Sequence, residues 1–126
     1  MNAADQYASV RYLVDDVPAA VDFYTRHLGF ALNTSPAPAF ADVVRGPLRL
    51  LLSGPASSGA RATPPDAAAP GRNRVHLIVD DLDAEIDRLR AAGVPFRGEP
   101  VAGPGGRQVL IADPAGNLVE LFQPAG

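Results

Sequence analysis

The sequence predicts an α+β fold made of two βαβββ modules, and the main observation behind this prediction is an internal repeat. Nine residues at 14–22, VDDVPAAVD, return sixty-five positions later at 79–87 as VDDLDAEID, with seven of the nine positions identical or exchanged between aliphatic residues. An apolar, strand-like run precedes each copy and an amphipathic helix pattern follows it. A glycine then ends each helix pattern, Gly29 in the first copy and Gly93 in the second. Such a repeat fixes the architecture before any single residue is interpreted.

Length and composition are those of one globular domain. A chain of 126 residues with 47% hydrophobic and 20% charged residues can bury a core, which its two halves would share. We therefore expect a single domain over 1–126, with module 1 at about 8–53, a linker at 54–72 and module 2 at about 73–123. The apolar runs are too short to span a bilayer and no signal peptide is visible, so a cytoplasmic protein is expected.

Charge and cysteine content exclude several classes of function. The net charge of −3 is spread without blocks, so neither nucleic acid nor a membrane is expected as a partner. With no cysteine, the chain has no thiolate nucleophile and no zinc–thiolate site. The segment GPGGR at 103–107 has the glycines of a phosphate-binding loop but lacks its Lys and Ser/Thr, so it is predicted to be an ordinary loop.

The first module is predicted to contain a strand, a helix and three further strands. Pro18 suits the first turn of the helix, and Gly29 can adopt the left-handed conformation that ends it. The predicted elements are a strand at Ala8–Val14, a helix at Val17–His27, and strands at Phe30–Thr34, Ala39–Arg45 and Leu48–Ser53.

The second module repeats this plan after a linker that is rich in Gly, Pro, Ala and Ser and has no apolar periodicity. The segment DPAGN at 113–117 is a turn signal that makes the last two strands a hairpin. The predicted elements are a strand at Asn73–Val79, a helix at Leu82–Ala92, and strands at Val94–Glu99, Gln108–Ala112 and Leu118–Gln123.

These motifs together resemble the vicinal oxygen chelate superfamily, which includes glyoxalase I, the bleomycin resistance proteins and the extradiol dioxygenases. The resemblance rests on VDDVPAAVDFYTRHLGF at 14–30, on VDDL and RLRAAGVPF within 79–96, and on DPAGNLVELFQP at 113–124. It covers the chain except for the linker. It implies the glyoxalase/bleomycin resistance/dioxygenase fold, in which two modules form an open barrel around a cavity. It leaves the reaction open, because one scaffold carries isomerases, dioxygenases and drug-binding members.

The resemblance also implies where a metal would be bound. In family members with a metal, one position on the first strand and one on the last strand of each module supply the ligands. These correspond to Ser9, Leu50, Arg74 and Glu120. Because a leucine has no donor atom and a guanidinium repels a cation, only Glu120 is a credible ligand. We therefore expect no metal cofactor, and a divalent ion held by Glu120 and His76 is the weaker alternative.

Polar anchors and an apolar lining are the residues expected to bind a ligand. Side chains two apart on a strand share a face, so Arg11 follows Ser9 and His76 follows Arg74. The full predicted set is Ser9, Arg11, Leu13, Leu50, Leu52, Arg74, His76, Ile78, Glu120 and Phe122. Plainer interpretations stay open: Glu120 could face solvent, His76 could be a hydrogen-bonded core residue, and Arg11 or Arg74 could simply neutralise Glu120 in a buried ion pair.

Two classes of function fit these residues. The first is a metal-independent binding protein of the bleomycin resistance type that sequesters an apolar or aromatic small molecule. The second is an enzyme with lyase or isomerase chemistry on a carbonyl compound, in which Glu120 or His76 is the general base, with or without a metal. Loss of the metal ligands favours the first. Since members of this family often form two-fold dimers, a homodimer is expected.

Overall fold

The computed structural model describes residues 7–126, which form two compact units, one ending at Ala69 and the other running Pro70–Gly126. Each unit contains one four-stranded sheet and one long helix. The elements are β1 Ala8–Leu13, α1 Val17–His27, β2 Ala31–Ala37, β3 Phe40–Arg45, β4 Leu48–Ser53, α2 Ser58–Arg61, β5 Arg74–Ile78, α3 Leu82–Ala91, β6 Val101–Gly103, β7 Gly106–Ala112 and β8 Leu118–Pro124. The two βαβββ modules of the predicted α+β fold are confirmed.

The two sheets have the same strand order and the same strand directions. The first sheet has the order β1-β4-β3-β2 and the second the order β5-β8-β7-β6. In each sheet the first strand of the module lies parallel to the last strand, and the remaining pairs are antiparallel. The sequence repeat therefore corresponds to a repeat of topology.

Both long helices begin at the second aspartate of the repeated VDD motif. The backbone N–H of Ala19 donates to Asp16 Oδ1 over 3.0 Å, and that of Ala84 donates to Asp81 Oδ1 over 3.1 Å. Each aspartate thus satisfies a backbone donor that the first helical turn would otherwise leave unpaired. The same cap appears in both copies, which explains why the repeat is most exact at these residues.

Both helices end at the glycines that the sequence pattern indicated. Gly29 has a φ of +73° and Gly93 a φ of +80°, which is the left-handed region that side chains other than glycine avoid. After Gly29, the N–H of Phe30 returns to the carbonyl of Tyr24 over 3.2 Å. After Gly93, the N–H of Val94 likewise returns to the carbonyl of Leu89 over 3.0 Å, so both helices end in the same way.

Each unit buries its apolar residues between the long helix and one face of its sheet. In the first unit α1 packs on β2, β3 and β4, and in the second unit α3 packs on β8. Buried sheet residues on these faces are Ala41, Val43, Leu50 and Leu52 in the first unit, and Val75, Leu77, Val109, Ile111, Val119 and Leu121 in the second. The opposite face of each sheet, here called its open face, carries the polar residues described below.

One predicted strand is misplaced. Residues 94–99 were predicted to form a strand, but the strand that pairs with β7 is Val101–Gly103, and Phe96 contributes only a single bridge to Ile111. Pro95 has no N–H for a strand ladder, and Gly98 has a φ of +119°, which is incompatible with an extended strand. The predicted loop at 103–107 contains the tight turn of the β6–β7 hairpin, at residues 104–105, and its ends belong to the two strands.

The linker is more ordered than its composition indicated. It contains α2 and a 3-10 turn at Pro65–Ala67. Ser57 caps α2 by accepting the Ala60 N–H over 3.2 Å, and its hydroxyl donates to the carbonyl of Gly54 over 2.7 Å. Local hydrogen bonds of this kind order a segment that has no apolar periodicity. Over residues 7–126, no helix has the length and apolar character needed to cross a membrane.

Candidate functional site

The open face of the second sheet brings together five of the predicted site residues. On β5, Val75 and Leu77 are buried, whereas Arg74, His76 and Ile78 alternate with them and are exposed. His76 is paired with Glu120 and Ile78 with Phe122 across the parallel β5–β8 ladder. Since paired residues project to the same side of a sheet, these side chains form one surface.

Glu120 is the buried centre of this surface. The residue is only 7% exposed, so the interpretation that it faces solvent is wrong. Arg74 Nε donates to Glu120 Oε1 over 2.8 Å, and His76 Nε2 lies 3.6 Å from Glu120 Oε2. A carboxylate removed from water needs such partners, because burying an unpaired charge costs several kcal/mol. Of the two arginines expected to neutralise Glu120, the structure pairs it with Arg74.

An aromatic and apolar patch adjoins this carboxylate. The rings of His76 and Phe122 lie 5.0 Å apart between centroids with an interplanar angle of 38°. The His76 side chain is 48% exposed, which excludes the interpretation of His76 as a core residue. Ile78 is 58% exposed on the same face. Large apolar side chains left accessible beside a few fixed polar groups are typical of small-molecule sites.

These residues do not fit a divalent metal. Within the described chain, residues 7–126, no group of three or more His, Cys, Asp or Glu side chains is placed to hold a metal ion. One oxygen of Glu120 already accepts from a guanidinium, so a cation there would have to displace Arg74 or share its positive surroundings. A strong protein site also needs three or four ligands, and His76 with Glu120 offers two.

In the first unit, Ser9, Arg11 and Leu13 share the open face of the first sheet, where they pair with Arg49, Leu51 and Ser53 of β4. Arg11 Nη1 donates to Ser53 Oγ over 2.7 Å. A Cβ on Gly59 would lie only 2.1 Å from Arg11 Nη1, so α2 rests directly on this guanidinium. Arg11 therefore serves to hold β1, β4 and α2 together.

The assignment of Leu50 and Leu52 to the ligand-binding face is wrong. Both are fully buried at 0% exposure and pair with Val10 and Tyr12, which alternate with Ser9, Arg11 and Leu13. They belong to the core beneath α1. Arg11 and His76 occupy the same position of the repeat, three residues before the VDD motif. Arg11 pairs with Leu51 and His76 pairs with Glu120, so the residue that corresponds to Glu120 is Leu51. Like Leu50, Leu51 has no atom that can bind a metal, so Glu120 is still the one credible metal ligand among the four family positions.

Sequence reasoning missed an acid–base cluster around Asp42. Asp42 is 0% exposed and pairs with Leu51, which places it on the open face of the first sheet. Its Oδ2 accepts from Asn33 Nδ2 over 2.9 Å and from Arg49 Nε over 2.6 Å, and its Oδ1 accepts from the Thr34 N–H over 3.1 Å and from the Thr34 hydroxyl. An aspartate inside the apolar run FADVV is the signal that could have revealed it.

The partners of Asp42 determine its ionisation. Burial alone would raise the pKa of this carboxyl. The hydrogen bonds from Asn33, Thr34 and Arg49, together with the positive charge of Arg49, outweigh burial and hold the pKa below its usual value. Asp42 is therefore a permanent anion at neutral pH.

The chain is similar to two solved structures with different named activities. TnmS3, an antibiotic binding protein from Streptomyces sp. CB03234, is 30% identical with a TM-score of 0.74, and the match covers 99% of this chain and 100% of TnmS3. Lactoylglutathione lyase from Agrobacterium tumefaciens is 27% identical with a TM-score of 0.72, covering 92% of this chain and 91% of the lyase. Both likenesses extend over nearly the whole of each chain.

Relatives of known sequence and a family model identify the family of this chain. The candidate glyoxylase CFP32 of Mycobacterium bovis and Mycobacterium tuberculosis is 30% identical over 114 residues, which are 90% of this chain and 42% of CFP32. The chain thus spans less than half the length of these relatives. Residues 6–121 match the model of the Glyoxalase/Bleomycin resistance protein/Dioxygenase superfamily. This chain belongs to the Glyoxalase/Bleomycin resistance protein/Dioxygenase superfamily.

Proposed function

We propose that this protein binds an apolar or aromatic small molecule without a metal, on the open face of the second sheet. The observation that carries the proposal is that the Glu120 carboxylate is neutralised by Arg74 and lies next to the exposed His76 and Ile78 and the half-buried Phe122. A site in which the charges are already paired presents mainly apolar area, which favours an uncharged aromatic ligand. The similarity to an antibiotic binding protein supports this proposal.

Phe122→Ala should weaken the binding of N-phenyl-1-naphthylamine, a neutral fluorescent aromatic probe, by at least about tenfold, because the ring supplies stacking area that alanine lacks. Fluorescence titration of the folded variant measures this. Leu32→Ala is the control, since Leu32 is an accessible apolar side chain, 51% exposed, that lines a separate groove of about 380 Å³ beside α1. Equal binding by Phe122→Ala, or a loss confined to Leu32→Ala, would place the ligand elsewhere.

One observation favours an enzyme as the second candidate. His76 Nε2 lies 3.6 Å from Glu120 Oε2, so an imidazole and a carboxylate, either of which can act as a general base, face each other with the Arg74 guanidinium alongside. Such a group could remove a proton next to a carbonyl, and the arginine could stabilise the oxyanion that forms. The similarity to a lactoylglutathione lyase supports the hypothesis that these residues are catalytic.

Glu120→Gln separates the two candidates. If Glu120 is a general base, the variant should lose turnover while the affinity changes by less than about tenfold, because the shape of the site is kept. If the protein only binds, the variant should change affinity alone. Hydrogen–deuterium exchange at the carbon next to the carbonyl, followed for a panel of carbonyl compounds, measures turnover. Exchange by the unmodified protein that Glu120→Gln abolishes would establish the enzyme and refute the binding role alone.

We also propose that the chain forms a homodimer, which rests on the family resemblance. Light scattering at micromolar concentration should give twice the chain mass of 13.1 kDa. A mass of one chain would remove this proposal. A cytoplasmic location likewise stays a prediction from the sequence.

A further inference from the structure

Arg49 is the member of the Asp42 cluster that uses only part of its hydrogen-bonding capacity within that cluster. The carboxylate itself is saturated, because each of its oxygens accepts two hydrogen bonds from Asn33, Thr34 and Arg49. Arg49 reaches it through Nε alone, over 2.6 Å. Among residues 7–126, no side chain or carbonyl accepts a hydrogen bond from the two terminal nitrogens of Arg49. A guanidinium has five N–H donors, so four of those of Arg49 have no acceptor within residues 7–126.

The hydrogen bond from Arg49 Nε to Asp42 also fixes the direction of the remaining N–H donors of Arg49. A bond from Nε to a fully buried carboxylate holds the guanidinium plane, and the free edge is the one that carries both terminal nitrogens. The Arg49 side chain is 33% exposed, so part of it is accessible to solvent although its carboxylate partner is buried. Two parallel N–H groups on a fixed plane match the two oxygens of a carboxylate.

The surroundings of Arg49 favour an anion. On strands β1, β3 and β4, the charged residues that share the open face of the first sheet are Arg11, Arg49 and Asp42. Asp42 neutralises one of the two arginines, which leaves this face with an excess of positive charge. Ser9 and Val44, the strand partners of Arg49 on either side, are small enough to leave the guanidinium accessible.

The repeat does not account for this arrangement. Arg49 pairs with Ser9, and the corresponding pair in the second unit is Leu118 with Arg74, so the position of Arg49 is occupied there by a leucine. The second unit nevertheless holds Arg74 in the same way, through Nε to a buried carboxylate. Each unit therefore carries an arginine anchored at Nε, built from different positions of the repeat.

We propose that Arg49 is an anion-binding residue that takes the carboxylate of a small molecule in a bidentate contact on the open face of the first sheet. The buried Asp42 acts as a positioning residue that fixes the guanidinium and leaves its terminal edge free. The site lies wholly within the first unit. It therefore does not depend on the function proposed for the second sheet.

Sodium benzoate, compared with sodium chloride at equal ionic strength, is the probe that tests this site. In side-chain nitrogen–proton spectra, the Arg49 Nε–H signal should shift saturably with benzoate, with half-saturation at about 1 mM. Arg26 is the internal control, because it is more exposed, at 69%, but uses both Nε and Nη2 to bind Asp22. If Arg26 shifts as much as Arg49, the effect is general charge attraction and the proposal is wrong.

Arg49→Lys provides the second measurement. Lysine keeps the charge but cannot both hold Asp42 and present two parallel donors, so the half-saturation should rise at least about tenfold. The backbone amides of Ser9 and Val44 report benzoate binding in the variant. Unchanged benzoate binding in a folded Arg49→Lys variant would overturn the proposal. If the variant does not fold, the comparison of Arg49 with Arg26 in the unmodified protein decides.

Discussion

Asp42→Asn is expected to lower the free energy of unfolding by about 3 kcal/mol at pH 7, because it removes a buried negative charge and leaves donors of Asn33, Thr34 and Arg49 without their anion. Chemical denaturation with circular dichroism measures the change. Asp22→Asn is the matched control. Asp22 forms an exposed i,i+4 pair with Arg26, and such pairs contribute no more than about 0.5 kcal/mol.

The effect of Asp42→Asn should also depend on pH in a defined direction. The pKa of Asp42 is lowered in the folded protein, so the unfolded chain takes up its proton first as the pH falls. The stabilisation is therefore complete well above the unfolded pKa of about 3.9 and is lost as the pH falls from there towards the folded pKa. The difference in stability between the protein and Asp42→Asn should shrink between pH 7 and pH 3. A difference that stays constant over this range would show that the charge of Asp42 does not stabilise the fold.

Leu52→Ala is expected to cost about 2–5 kcal/mol of unfolding free energy, because Leu52 is fully buried beneath α1 and its truncation leaves a cavity. Leu51→Ala is the adjacent control, with the same chemical change on the half-buried open face, and should cost about 1 kcal/mol. Thermal and denaturant unfolding of both variants measure the difference. Equal costs, or a larger cost at Leu51, would reverse the assignment of faces on β4.

This pair of leucines also shows where sequence reasoning stops. In RVHLI of β5, polar and apolar residues alternate, so the open face could be predicted correctly. In LRLLLS of β4, three leucines in succession carry no alternation, and the phase of the strand cannot be read from them. An error of one residue moves every side chain to the other face, which is how Leu50 and Leu52 were placed with Arg11.

The fold could be predicted because its signals are local and occur twice. Asp16 and Asp81 cap the helices and Gly29 and Gly93 end them, so each copy supports the interpretation of the other. From the sequence, the partner of Glu120 could be either Arg11 or Arg74. The choice depends on a tertiary contact, because Arg11 is bound to Ser53 and packed against α2. The Asp42 cluster depends on the pairing of β2, β3 and β4, and no spacing along the chain encodes that contact.

We propose above that the open face of the second sheet binds an aromatic ligand without a metal. The most direct test is the affinity for N-phenyl-1-naphthylamine before and after treatment with a chelator, with the metal content determined by mass spectrometry on the same samples. We predict that the affinity is the same within about twofold and that metal is far below one ion per chain. Binding that disappears on chelation and returns with a stoichiometric divalent ion would contradict the claim.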